Sequence, residues 1–105
     1  MYLECPYAIQ VSTSKQPLIS GIYLKTNQTR RQKPVWYNSL KKTYVFFSSV
    51  NDWHIAQSKH YTADNNVCYA FADGFSKSCP QDLDYTLWLN NKWTTGTDIS
   101  VTSRK

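Results

Sequence analysis

The sequence predicts an all-β protein: a single small domain of about eight short antiparallel strands, arranged as a meander, a sandwich or a small barrel. Three observations lead to this prediction. The chain is rich in Thr, Ser, Asn, Tyr and Val and has one glutamate, which favours strands and turns over helices. Turn signals recur every ~8–12 residues between short alternating runs. No segment of ten or more residues shows the 3.6-residue periodicity of an amphipathic helix.

The length is consistent with one domain. A chain of 105 residues can bury one hydrophobic core and is too short for two. Within this domain, residues 1–18 are expected to form an N-terminal strand and loop, and residues 19–103 a core module.

The first third of the chain predicts three strands. They are expected at residues 7–11, 18–24 and 34–37. Gly21, inside the second strand, indicates a bulge or a close backbone approach. The polar and basic segment 26–33 is interpreted as a solvated, mobile loop.

The central stretch, residues 44–55, predicts a β-hairpin that turns at Asn51 and Asp52. Strand alternation places Tyr44 on one face and Val45 on the other. Because both faces are apolar, we expect both to be covered by the rest of the domain.

The last part of the chain predicts three further elements after a polar connection at residues 56–66. A strand is expected at residues 67–72, a hairpin at residues 85–94, and a final strand at residues 99–102. The hairpin should turn at Asn90 and Asn91, because asparagine tolerates the positive φ angles of a type I′ turn.

Three cysteines leave the disulfide pattern open. Cys68 and Cys79 enclose ten residues that include a turn signal, and we expect these two to form a bridge that leaves Cys5 unpaired. The other two pairings and three free thiols are the alternatives. A disulfide in so small a chain favours an extracellular location.

The charge is unevenly distributed. Residues 1–60 carry eight Lys/Arg against two acids, whereas residues 61–105 carry four against five, which together give a net charge of +5. A basic half favours an anionic partner such as a sulfated glycan, a nucleic acid or a membrane surface, although a merely solvated surface would look the same. The candidate residues for binding an anionic partner are Lys25, Arg30, Arg31, Lys33, Lys41 and Lys42.

Four aromatic residues among polar neighbours form a second candidate site. Trp36, Tyr37, Trp88 and Trp93 could provide a flat platform for a sugar ring or a base. The competing interpretation places them in the core or in cross-strand pairs.

Metal binding and catalysis are not expected. His54 and His60 lack ligand spacing, and the Asp residues do not form an EF-hand loop. The chain has no nucleophile elbow, no Cys-His signature and no Gly-rich phosphate loop. We therefore predict a protein that is not an enzyme and uses no cofactor.

Two further features concern the cellular location. Asn27 lies in an N-glycosylation sequon, Asn27-Gln28-Thr29, which a secreted protein could have modified. No apolar run is long enough to span a membrane, and residues 1–6 do not resemble a signal peptide.

The order of these motifs resembles a known type of module. Gly21-x-Tyr23, Lys33-Pro34-Val35-Trp36, Trp53-x-Ile55, Cys79-Pro80 and Ile99-x-Val101 follow one another, with the Tyr44–Phe47 strand and two tryptophans, Trp88 and Trp93, in their expected places. The pattern is similar to a small β-rich module, often in tandem copies, of large secreted or surface proteins of invertebrates and protists. The resemblance implies an extracellular, non-enzymatic interaction module. Ser103 stands where the module often has a final cysteine, which argues against a bridge from Cys5 to the last strand.

The sequence thus predicts non-catalytic recognition or adhesion in an extracellular setting, with a protein or an anionic glycan as partner. A cytosolic nucleic-acid-binding module is the first alternative. A small secreted inhibitor or toxin-like effector is the second.

Overall fold

In a computed structural model, the chain forms one sheet of nine antiparallel strands that curls into a half-barrel. The structure describes residues 5–74, 77–95 and 98–104. The strands are β1 (Ala8–Ser12), β2 (Gly21–Arg30), β3 (Lys33–Asn38), β4 (Thr43–Phe47), β5 (Asp52–Gln57), β6 (Ala70–Asp73), β7 (Thr86–Leu89), β8 (Lys92–Thr94) and β9 (Ser100–Arg104). A short 3₁₀ helix covers Pro17–Ile19, and helix α1 covers Ser58–Ala63.

The topology is a meander with one exception. Strands β1 to β8 each pair with the next strand along the chain, and β9 returns to pair with β1, so that the order across the sheet is β8-β7-β6-β5-β4-β3-β2-β1-β9. The predicted all-β class, the antiparallel meander and the single domain are confirmed. None of the helices in the described part of the chain is long and apolar enough to cross a membrane.

The inner face of the curled sheet holds the main core. It is built from buried residues of β1 to β7 and of β9, the largest of which are Trp36, Trp53 and Tyr23. The two indoles meet edge to face, with 6.0 Å between ring centroids. Trp36 Nε1 donates a hydrogen bond to the Pro6 carbonyl (3.0 Å) and Trp53 Nε1 to the Lys77 carbonyl (3.3 Å). Both buried N–H groups are therefore satisfied by segments outside the sheet.

A smaller cluster covers part of the outer face. Val35, Phe46 and Ala56 pack there against Tyr61 of α1. The hairpin at residues 44–55 is thus buried on both sides, as its two apolar faces predicted.

The interpretation of residues 26–33 as a loop is wrong. Strand β2 continues to Arg30, and the chain turns at Arg31 and Gln32, whose φ angles are 52° and 69°. The far part of this ribbon does not bury one face in the core, and Asn27 to Thr29 are exposed. Without a buried face, a strand has no apolar alternation by which sequence could reveal it.

Two other expectations are corrected in the same way. Residues 18 and 19, placed at the start of a strand, belong instead to the 3₁₀ helix that begins at Pro17. The polar connection after β5 contains α1, which ends where Asp64 adopts a left-handed conformation (φ 52°). A helix of six residues is too short to show a helical period in the sequence.

The predicted Cys68–Cys79 bridge is also wrong. Cys79 pairs with Cys5, with 5.5 Å between the Cα atoms, and Cys68 is free. The reason is the sheet itself: Cys79 packs against the inner core, whereas Cys68 packs against the outer cluster. Two thiols on opposite faces of a sheet cannot meet, however close they lie in sequence.

The Cys5–Cys79 bridge links two segments that cover the inner core. It spans 74 residues of sequence. The second of these segments also reaches the far edge of the sheet, because Asp82 N donates to the Val101 carbonyl of β9 (2.7 Å). Tyr85 donates its hydroxyl proton to the Pro80 carbonyl (2.6 Å) within the same segment. The bridge therefore joins the two segments whose carbonyls accept hydrogen bonds from the Trp36 and Trp53 indoles.

We expect loss of this bridge to destabilise the fold strongly. The double variant Cys5→Ser/Cys79→Ser should lose about 2–5 kcal/mol in free energy of unfolding, the usual effect of removing a native disulfide from a small domain. Urea denaturation followed by tryptophan fluorescence measures the change. Cys68→Ser is the control and should keep the bridge. Non-reducing peptide mapping that joined Cys68 to either other cysteine would contradict this pairing.

Gly21 marks a close approach of two segments, as its position in the strand predicted. Its φ angle is +141°, and a Cβ built on it would lie 2.5 Å from the Asn38 amide nitrogen. Asn38 is buried. Its side-chain oxygen accepts hydrogen bonds from the backbone N–H groups of Leu40 and Lys41 (both 3.0 Å). The Asn38 side chain is held by these hydrogen bonds, so it cannot shift to make room for a Cβ at residue 21 without weakening them.

We expect Gly21→Ala to lower the free energy of unfolding by about 1–3 kcal/mol, from backbone strain together with the clash at Asn38. Chemical denaturation checks this value. Ser39→Ala, at an exposed position of the adjoining turn, is the matched control and should have little effect. Equal stability of the two variants would show that the backbone is not strained at Gly21.

Candidate functional site

One candidate site is a groove of about 470 Å³ between the β7–β8 hairpin and the segment that follows α1. Its apolar lining comes from Val67, Cys68, Tyr69, Trp88 and Trp93. Its polar lining comes from Gln57, His60 and Asn66. We call it the Trp88–Trp93 groove. Its volume lies within the range typical of small-ligand sites.

The hairpin places the two tryptophans side by side. Trp88 of β7 and Trp93 of β8 are directly paired across the strands, with ring centroids 5.0 Å apart and planes at 68°. The turn between them has positive φ at Asn90 (51°) and Asn91 (63°), as predicted for these two asparagines. The side chains remain 38% and 44% exposed. Phe71 supports Trp93 from β6 in an edge-to-face contact, with centroids 4.8 Å apart.

The facing wall is held by backbone hydrogen bonds. Tyr69 N donates to the Ile55 carbonyl (2.8 Å), and Trp88 N donates to the Tyr69 carbonyl (2.9 Å). Asn66 adopts a positive φ of 64°, and its side-chain oxygen accepts a hydrogen bond from Ser49 (3.1 Å). Both walls are thus anchored to the sheet, and the groove is largely pre-formed.

Polar groups border the aromatic rings. The amides of Gln57 and Asn66 can each donate and accept hydrogen bonds, and the His60 imidazole offers a further donor or acceptor. His60 Nδ1 lies 3.2 Å from the Asn65 amide nitrogen, which orients the ring. The described lining contains no carboxylate, so it would not repel an anionic ligand. Sequence reasoning missed Gln57 and Asn66 and considered His60 only as a metal ligand, because the polar connection carrying them had no pattern that separated a groove wall from a solvated loop.

The Cys68 thiol in this groove is not poised for chemistry. Burial raises its pKa to about 12; a hydrogen bond with the Ala70 backbone opposes this shift, and the Asp52 charge adds to it. The thiol is therefore protonated at neutral pH, whereas the nucleophilic form of cysteine is the thiolate. The described residues contain no group of three or more His, Cys, Asp or Glu that could hold a metal ion.

The other two members of the predicted aromatic platform lie elsewhere. Trp36 is fully buried in the inner core and offers no surface to a ligand. Tyr37 is half-buried on the outer face, where it packs on Tyr44 with 4.4 Å between ring centroids. The structure therefore brings together only Trp88 and Trp93 of the four.

The predicted basic group is divided among several environments. Arg30 and Arg31 both pair with Asp64, Arg30 at 3.2 Å from its carboxylate. Arg30 also lies over the Tyr61 ring, 4.0 Å from the centroid, and donates to the Tyr61 carbonyl. Arg31 donates to the Phe47 carbonyl (2.9 Å). These guanidinium groups have structural partners that sequence could not show, because Asp64 is more than thirty residues away.

The lysines are placed separately. Lys25 Nζ donates to the Cys5 carbonyl (2.8 Å), and Lys41 Nζ donates to the Pro17 carbonyl (2.9 Å). Lys33 lies over the Phe47 ring, 5.0 Å from its centroid, and Lys42 is exposed. Asn27 of the sequon is exposed on β2, on a strand rather than in a loop.

No family model, no curated protein and no solved structure matches this chain. The resemblance to a repeated extracellular module therefore remains a prediction from the sequence.

His54 is a buried titratable group close to the arginines. It lies on β5, 3% exposed, in edge-to-face contact with Phe46, and its Nδ1 has no hydrogen-bond partner. Burial lowers its pKa to about 4, the Arg31 charge adds to the effect, and the Asp64 charge opposes it. The folded protein thus holds this imidazole neutral.

We expect stability to fall on acidification because of His54. The unfolded chain takes up the proton near the ordinary pKa of 6.5, whereas the folded chain does so only near 4. Between these values the unfolded state binds more protons, so each pH unit lost should weaken folding by at most about 1.4 kcal/mol.

Denaturation curves from about pH 7 to about pH 4.5 test this expectation. His54→Phe should flatten the pH dependence, because it removes the group that takes up a proton on unfolding. An unaltered slope in His54→Phe would show that another group dominates the acid response.

Proposed function

We propose that this chain is a non-catalytic recognition module that acts in an extracellular setting and binds a glycan in the Trp88–Trp93 groove. The observation that carries the proposal is the pair of partly exposed indoles in a pre-formed groove bordered by two amides and an imidazole.

The chemistry of the lining favours a sugar. The aliphatic C–H face of a sugar ring packs on an indole, while its hydroxyls need both donors and acceptors. Side-chain amides supply both, and Gln57 and Asn66 supply them beside the rings. Two indoles at a steep angle form a corner rather than a flat plate, which suits a bulky ring more than an extended strand.

The Cys5–Cys79 disulfide supports the extracellular setting, because such bonds persist in oxidising compartments and are rare in the cytosol. The sequon asparagine, Asn27, is exposed, so a secreted protein could carry a glycan at this position.

The charge of the chain bears on the choice of glycan. The net charge is +5, and the described groove lining includes no acid. An anionic oligosaccharide should therefore approach faster than a neutral one, and its binding should weaken with salt.

Tryptophan fluorescence and saturation-transfer NMR test the proposal with two probes, a heparin-derived hexasaccharide and chitohexaose. We expect at least one of them to bind, with transfer to its ring protons. Trp88→Ala and Trp93→Ala should each weaken binding about tenfold, a change of ~1.4 kcal/mol. Both indoles are partly exposed, so the variants should still fold, which circular dichroism verifies.

Tyr7→Ala is the matched control, because Tyr7 is an exposed aromatic residue outside the groove and should not affect binding. Loss of heparin binding in Arg30→Ala/Arg31→Ala/Lys33→Ala, with no effect of either tryptophan variant, would transfer the site to the basic group and overturn the proposal. Tight binding of single-stranded oligonucleotides at ~50 mM salt, with neither sugar bound, would favour the nucleic-acid alternative.

A further inference from the structure

The turn between β3 and β4 presents an exposed leucine at its tip. Leu40 is 90% exposed, an unusually open position for a large aliphatic side chain. The 3₁₀ helix lies alongside, since Lys41 Nζ donates to the Pro17 carbonyl (2.9 Å), and its Leu18 is 52% exposed. We call the turn at residues 38–42 together with Leu18 the Leu40 tip.

The apolar surface continues from the tip onto the outer face of the sheet. Ile22 and Leu24 of β2 are 43% and 46% exposed. They line, with Leu40, a shallow groove of about 320 Å³. Several apolar side chains in one place mark an interaction surface more clearly than a single exposed leucine would.

The charge around this surface is positive. Lys41 and Lys42 follow Leu40 directly in the sequence. From Cys5 to Asn51 the chain has seven Lys/Arg and no Asp or Glu. Of these seven, Arg30 and Arg31 are paired with Asp64, whereas Lys42 is exposed within the tip.

Several backbone groups of the turn are already hydrogen-bonded within the protein. The N–H groups of Leu40 and Lys41 donate to the Asn38 side-chain oxygen, and Lys42 N donates to the Asn38 carbonyl (2.9 Å). The Lys42 carbonyl accepts from the backbone N–H and the hydroxyl of Ser58. An unpaired backbone N–H or C=O group costs free energy when it moves from water into an apolar medium. The groups of this turn that are already paired within the protein would not incur that cost.

We propose that the Leu40 tip docks on the surface of an anionic lipid bilayer. Leu40 and Leu18 enter the boundary between headgroups and acyl chains, and Lys41 and Lys42 lie at the level of the negatively charged headgroups. A protruding apolar tip with lysines at its base and a pre-formed backbone fits this partner better than a flat protein surface. The proposal is independent of the glycan site, with which the described lining shares no residue.

The test is co-sedimentation of the protein with vesicles of phosphatidylcholine and phosphatidylserine in a roughly two to one ratio. We expect binding that weakens with salt and is lost on pure phosphatidylcholine. Leu40→Gln should reduce partitioning about tenfold, and Lys41→Gln and Lys42→Gln about fivefold each. Leu40 is exposed, so folding should not change.

Two matched controls use the same substitutions elsewhere. Val50→Gln alters an exposed aliphatic residue (54%) at the β4–β5 turn, and Lys77→Gln/Lys92→Gln removes two exposed lysines away from the tip. Both should bind vesicles nearly as the parent does.

Three results would overturn the proposal. One is the absence of sedimentation with the anionic vesicles. Another is equal binding by Leu40→Gln and Val50→Gln. The third is a Leu40-dependent dimer in analytical ultracentrifugation without lipid, together with no vesicle binding, which would assign the surface to contacts between copies of the chain.

Discussion

The fold depends on how two buried indoles are covered. Trp36 and Trp53 occupy the inner face of a curled sheet, and each needs a hydrogen-bond acceptor for its N–H group. The acceptors are the Pro6 and Lys77 carbonyls, which lie in two different segments outside the sheet. The Cys5–Cys79 bridge joins these same two segments. The disulfide and the hydrogen bonds of the two core indoles therefore hold the same two segments over the inner face of the half-barrel.

This arrangement leaves the outer face for other uses. Its middle is covered by the small cluster around Phe46 and Tyr61. On one side of that cluster lies the Trp88–Trp93 groove, and another part of the face carries the Leu40 tip. The arginines predicted as a binding group instead hold the β2–β3 ribbon against α1 through Asp64. The arginines that the sequence predicted as ligand-binding residues thus stabilise the fold. The accessible groove is lined by other residues.

Much of the fold could be predicted because the relevant signals are local. The alternation in residues 44–55 indicated a hairpin buried on both faces, and two asparagines indicated the β7–β8 turn. Gly21 indicated a close approach, and its missing Cβ is what leaves room for Asn38. The far part of β2 could not be predicted, since its residues have no buried face to impose a pattern. For the same reason the polar wall of the groove, with Gln57, His60 and Asn66, was indistinguishable from a loop.

The sequence by itself determined the all-β class, the antiparallel hairpins and the residues able to make turns, because each depends on neighbours within a few positions. Only the tertiary structure decided which cysteines pair, which tryptophans are buried and which cations are neutralised. Cys68 and Cys79 are close in sequence but lie on opposite faces of the sheet. Trp36 and Trp88 have similar neighbours, yet one faces the core and the other faces solvent. A shift of one residue in the register of a strand exchanges its two faces. The curl and register of the whole sheet therefore determine whether each side chain is buried in the core or exposed to solvent.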